Sequence, residues 1–222
     1  MNQLVRRLVF WSAILIAALV ILIDVGMIAS NILYPITHLT NMEEYAAQFS
    51  SAQMLPFIPS LILAPVFVVF MLSIYHSASQ DKKVLGQLGF SFALICAVIL
   101  SLHYYIQLTV VRQGILSGEY AGLWQFVTPN PHSFFWMFAA LGYGFMGFAL
   151  LCATPTFPQK ADKAIRWLFV ANGVIGLAFL VGNTLGLFII NILVSFVWGA
   201  LFPIAALLVA KKFRRQSWEN LG

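Results

Sequence analysis

Asp24, His103 and Gln107 stand out in this 222-residue chain because each places a polar or ionisable side chain inside a long apolar run. His103 lies in GFSFALICAVILSLHYYIQLTVVR, followed closely by Tyr104, Tyr105 and Gln107, and that run stops at Arg112. Asp24 interrupts the first apolar run, which extends from about Leu8 to Tyr34. A carboxyl and an imidazole together can recognise a polar ligand head, relay a proton or perform acid–base work. A charged group inside hydrocarbon costs about 2.5–3.5 kcal/mol on insertion scales, so each needs a partner or a task.

The elements that must position these groups are membrane spans. Hydrophobic residues make up 61% of the chain and charged residues 9%, with a mean hydropathy of +0.91. Soluble domains carry about 25% charged residues, so composition points to an all-α, polytopic membrane bundle. Six apolar runs are long enough to cross a bilayer, at about 8–34, 54–76, 88–111, 134–154, 164–184 and 187–210. Together they make one transmembrane domain over residues 1–222. Arg6 and Arg7 before an apolar core imitate a secretory signal, but the run resumes after Asp24 without a small-x-small cleavage site. The expectation is an uncleaved first span. Pro65 falls well inside the second span and predicts a kink. Ala140, Gly144 and Gly147 give the fourth span a small-residue face suited to close helix packing, within one chain or between two copies. Cys96 and Cys152 both fall inside spans and suggest neither a disulfide framework nor a metal motif.

Orientation follows from the basic residues. With both termini cytoplasmic, Arg6, Arg7, Lys82, Lys83, Lys160, Lys163, Arg166, Lys211, Lys212, Arg214 and Arg215 share that side. Of the 12 Lys and Arg, Arg112 alone falls on the other face, a strong positive-inside bias. The net charge of +5 is thus topological, and a nucleic-acid partner is not expected.

Three stretches carry a family likeness: EYAAQF before the second span, NPHSFFWMFAALGYGFMGFALLCATPTF around the fourth, and the closing FVWGALFPIAALLVAKKF. On these the chain resembles a large bacterial family of six-helix integral membrane proteins, a domain of unknown function. The resemblance implies the six-span topology and a bacterial inner membrane. It implies no activity, cofactor or catalytic residue.

Counting along the helices assigns depths. Asp24 lies ten residues before Tyr34 and His103 nine before Arg112, so both fall in the outer half of the bilayer. Asn31 is seven residues beyond Asp24 and shares its face, and Gln107 is four beyond His103. Asn183 and Asn191 lie near the outer ends of the fifth and sixth spans. The expectation is an outward-facing polar pocket lined by Asp24, Asn31, His103, Gln107, Asn183 and Asn191, with Asp24 and His103 as partners. Arg112, Glu119 and His132 would form its rim, where a salt bridge is the default. The bland alternative is that the amides join helices, worth around 0.6 kcal/mol each on average, and that a satisfied Asp–His pair is structural. His38, Glu43 and Glu44 form a weak metal constellation, since adjacent acids do not share a helical face, so no metal site is expected.

Three functions fit. The first is binding of a small molecule or lipid, in a sensor or transport-like protein. The second is a membrane assembly role, with another membrane protein as partner and the basic tail KKFRR on anionic lipid. The third is an intramembrane enzyme using Asp24 and His103. No HExxH, GxSxG, CxxCH or phosphate-binding glycine loop is present, so no recognisable catalytic motif and no cofactor call supports the third.

Overall fold

The computed structural model describes residues 2–36 and 39–218, and every regular element among them is helical. The helices are α1 (Gln3–Leu33), α2 (Met42–Gln48), α3 (Phe57–Ser77), α4 (Lys83–Ile106), α5 (Arg112–Ser117), α6 (Phe134–Ala153), α7 (Lys163–Thr184) and α8 (Phe188–Trp218). Six of them, all but α2 and α5, are long and apolar enough to cross a membrane. Local chemistry sets several ends. The Leu4 N–H donates to the Asn2 side chain at 3.0 Å where α1 begins. At α2 the Glu44 N–H donates to Asn41 Oδ1 at 2.9 Å, while the Thr40 N–H donates to Glu44 Oε2 at 2.7 Å. Glu44 is thereby part of a helix cap, and His38 of the weak metal constellation lies outside the described residues.

The six long helices form a ring in chain order. α1 packs on α3, α3 on α4, α4 on α6, α6 on α7 and α7 on α8, and α8 returns to α1. α3 and α6 also touch across the ring. Chain neighbours run antiparallel, with Gly86 of α4 against Tyr75 of α3 and Gly89 of α4 against Ala149 of α6, so the start of α1, the end of α3, the start of α4, the end of α6, the start of α7 and the end of α8 meet at one level. That end carries Arg6, Arg7, Lys82, Lys83, Lys160, Lys163 and Arg166 together with Lys211, Lys212 and Arg214. It is filled. Phe67 and Phe70 of α3 meet Phe202 of α8 and Phe169 of α7 at ring separations of 6.1 and 6.4 Å. Ile16 and Val20 of α1 and Ala205 and Val209 of α8 are fully buried around them. A loop locks this end. Lys212 of α8 makes an ion pair with the buried Asp162, and its ammonium stands 5.3 Å from the Phe157 ring centroid.

One departure from the sequence reading, and one choice between its alternatives, matter for the site. The third span begins at Lys83, earlier than Leu88, and does not end at Val111. It passes through a π-helical turn, Gln107–Val111, directly into α5. The small-residue face of α6 is occupied within the chain. A Cβ on Gly176 would strike the Tyr143 carbonyl oxygen, and one on Gly147 would lie 2.6 Å from the Gly173 carbonyl oxygen. These glycines let α6 and α7 touch backbone to backbone, which closes that face to a second copy. α3 and α8 continue through Pro65 and Pro203 as single helices.

Candidate functional site

At the end opposite the basic residues the ring is hollow. A cavity of 790 Å³ is lined by the late part of α1, the start of α3, the end of α4, the first half of α6, the second half of α7 and the first half of α8. Of the six expected pocket residues, Asp24, Asn31 and His103 line it. The fixed rise of a helix made their common level countable from sequence.

Asp24 projects from α1 toward α8 and packs over Gly199, where an added Cβ would lie 2.6 Å from Oδ1 and 2.7 Å from Oδ2. Asn31 donates its amide to the Met27 carbonyl at 2.8 Å. His103 is 1% exposed, and neither Nδ1 nor Nε2 has a hydrogen-bond partner. Its ring lies edge-on to Phe135 at 4.5 Å and beside Tyr104 at 4.6 Å. The expected Asp24–His103 pair does not form: among the described residues no hydrogen bond or ion pair joins them. Both line the same cavity without pairing.

Gln107, Asn183 and Asn191 do not line the cavity. Gln107 sits where the π-turn begins and donates Nε2 to the Phe126 carbonyl at 2.8 Å, fastening the α5–α6 connection to the helix end. The Asn191 amide donates to Asn183 Oδ1 at 3.3 Å, joining α7 to α8. These are the interhelical bonds of the bland alternative. The expected rim is also looser. Among the described residues no ion pair links Arg112, Glu119 and His132, and the His132 N–H donates to Asn130 Oδ1 at 3.0 Å. Glu119 lines a separate surface hollow with Gln113, Gly114 and Tyr120.

The α5–α6 connection is held by its own hydrogen bonds and meets the cavity at Thr128. The Asn130 amide donates to the Trp124 carbonyl at 2.9 Å, and Trp136 Nε1 donates to the Thr128 carbonyl at 2.9 Å. Within it Val127 is fully buried and Leu123 is buried as well, while Thr128 reaches the cavity.

The walls are aromatic and aliphatic, which the polar-pocket expectation missed. Phe57, Phe135, Trp136, Tyr143, Phe179 and Trp198 all contribute. Tyr104 and Tyr143 share a hydrogen bond at 3.0 Å between their hydroxyls, and Tyr143 meets Trp198 at 4.9 Å. Phe135, Ala139 and Tyr143 recur at helical spacing on α6, and that spacing was the available signal. Ser60 and Ser195 also line the cavity, but their hydroxyls donate to Pro56 and Asn191 carbonyls at 2.9 and 2.7 Å. The free polar capacity is therefore concentrated in Asp24 and His103. Chemically, the site is an apolar chamber with one carboxyl, one unpartnered imidazole and a tyrosine pair.

Among the described residues, no three His, Cys, Asp or Glu side chains cluster as metal ligands would. Comparison of the chain with protein-family models, with curated proteins and with solved structures gives no match.

Proposed function

We propose that this is a membrane-embedded binding protein, a sensor or transport-like component, whose cavity takes an amphiphilic small molecule or a lipid. The observation that carries the reading is His103, buried beside a 790 Å³ chamber with both ring nitrogens unpartnered. An unsatisfied buried polar group costs about 1–3 kcal/mol, and a ligand offering a donor or acceptor removes that cost. The mainly apolar walls suit such a ligand's body.

The basic end of the bundle faces the cytoplasm in this proposal, because positive residues are retained on that side. Both termini are then cytoplasmic, the cavity opens toward the outer half of the membrane, and a bacterial inner membrane is the setting. The assembly reading is weaker, because the small-residue face of α6 is already packed against α7.

The test is recovery of the ligand. Full-length protein purified from native membranes in maltoside is extracted and the extract identified by mass. A stoichiometric species retained by the wild type and depleted in an Ala139→Trp variant, which places a large ring in the cavity, is the expected result. Equal recovery from both would defeat the proposal.

A further inference from the structure

We infer that the cavity selects a lipophilic ammonium compound, with the cationic nitrogen on the Asp24 carboxylate and the apolar body directed toward the seam between α1 and α8. This rests on the binding reading above and names the ligand class. Three independent observations support it.

The first is charge. Asp24 supplies the carboxylate, and no lysine or arginine is among the residues lining the cavity. An anionic head would meet that carboxylate with no compensating cation, whereas an ammonium neutralises it away from bulk water. The second is the wall around the carboxylate. Trp198 and Tyr143 line the same cavity as Asp24, their rings 4.9 Å apart, and aromatic faces attract a desolvated cation. His103 adds an imidazole with two unpartnered nitrogens, able to meet an N–H or a hydroxyl on the same ligand.

The third is access. Ile28 and Ile32 of α1 and Phe196 of α8 line the cavity, yet they are 52%, 71% and 68% exposed on the protein surface. Residues that face both the chamber and the exterior mark a sideways opening above the Asp24–Gly199 crossing. An opening framed by isoleucine and phenylalanine at bilayer level admits an amphiphile from the lipid phase more readily than a hydrated solute.

The test uses the full chain in maltoside, with saturable binding of three chain-matched probes measured one at a time: dodecyltrimethylammonium, dodecanol and dodecyl sulfate. The expected order is ammonium above alcohol above sulfate, with about tenfold or more between the first two. Asp24→Asn should lower ammonium binding to the alcohol's level and leave the alcohol unchanged. Equal binding of ammonium and alcohol, or an ammonium preference that survives Asp24→Asn, overturns the ammonium inference and leaves the binding reading intact. No saturable binding by any probe overturns both. Should Asp24→Asn fail to fold, the order of the three probes on the wild type decides alone.

The same ammonium chemistry can come from an aminophospholipid head or a free amine. Native mass spectrometry with phosphatidylethanolamine and dodecylamine offered together separates them. Retention of either by the wild type but not by Asp24→Asn supports the inference and identifies the source. Retention of neither counts against it.

Discussion

The Asp24 carboxylate occupies the space that a side chain at residue 199 would need. A Cβ on Gly199 would sit 2.6 Å from Oδ1, closer than real Cβ atoms approach. The α1–α8 crossing thus fixes where the carboxylate points, because the absent side chain on α8 forms its seat.

Gly199→Ala should therefore separate binding from stability. The atoms in the way belong to the end of a short side chain, which can rotate. Alanine also favours a helix interior over glycine by about 0.8–1.0 kcal/mol. The expected result is a thermal midpoint close to wild type, with ammonium binding reduced about tenfold. Loss of folding together with binding would mean that Gly199 serves packing alone.

His103→Leu should raise stability while it lowers ligand retention. It removes two unpartnered ring nitrogens from a buried position and keeps an apolar body of similar reach. The ligand-free protein is expected to gain about 1 kcal/mol in denaturant unfolding, while ligand retention falls. A destabilised variant would show that the imidazole has a partner in the folded protein.

Lys212→Met should weaken the basic end without altering the ligand order. Asp162 keeps 4% of its side-chain exposure beside Lys212, so removing the lysine strands a buried carboxylate. The expected loss is about 3–5 kcal/mol, partly recovered in Lys212→Met/Asp162→Leu. A double-mutant cycle in denaturant unfolding provides the measurement, and additive losses would contradict it.

Acid should loosen the cap of α2. The Thr40 backbone N–H, then the Thr40 hydroxyl, hold the Glu44 carboxyl below its ordinary pKa. A carboxyl with a depressed folded-state pKa stabilises above its ordinary value and loses that contribution as pH falls through the depressed one. Protection of the Thr40 amide, its exchange compared with the intrinsic rate at each pH, should fall over that acid interval, and Glu44→Gln should remove that change. Constant protection in the wild type would refute the assignment.

The helices were legible because apolar runs of bilayer length leave little else for the chain to form. The common level of Asp24 and His103 was legible for a related reason, since helix rise converts residue number into height. Azimuth was not. Whether Asn191 faces the cavity or Asn183 depends on how α8 rolls against Gly182, where an added Cβ would lie 2.9 Å from Asn191 Oδ1. The π-turn after Ile106 was equally hidden, since no residue type in QLTVV demands it and the fastening of Gln107 to the Phe126 carbonyl is a tertiary event. The aromatic walls were written in the α6 spacing, but phenylalanine is so common here that core and chamber read alike.

The chain-order ring has a mechanical corollary. Five of its six junctions are tied by a connecting segment, whereas α1 and α8 pack together with no segment joining them among the described residues. At the chamber's end the α1–α3, α4–α6 and α7–α8 junctions carry their connecting segments, and widening the chamber there pulls on them. Parting the first and last helices strains none, so the barrel is built like a split collar whose gap falls beside Asp24.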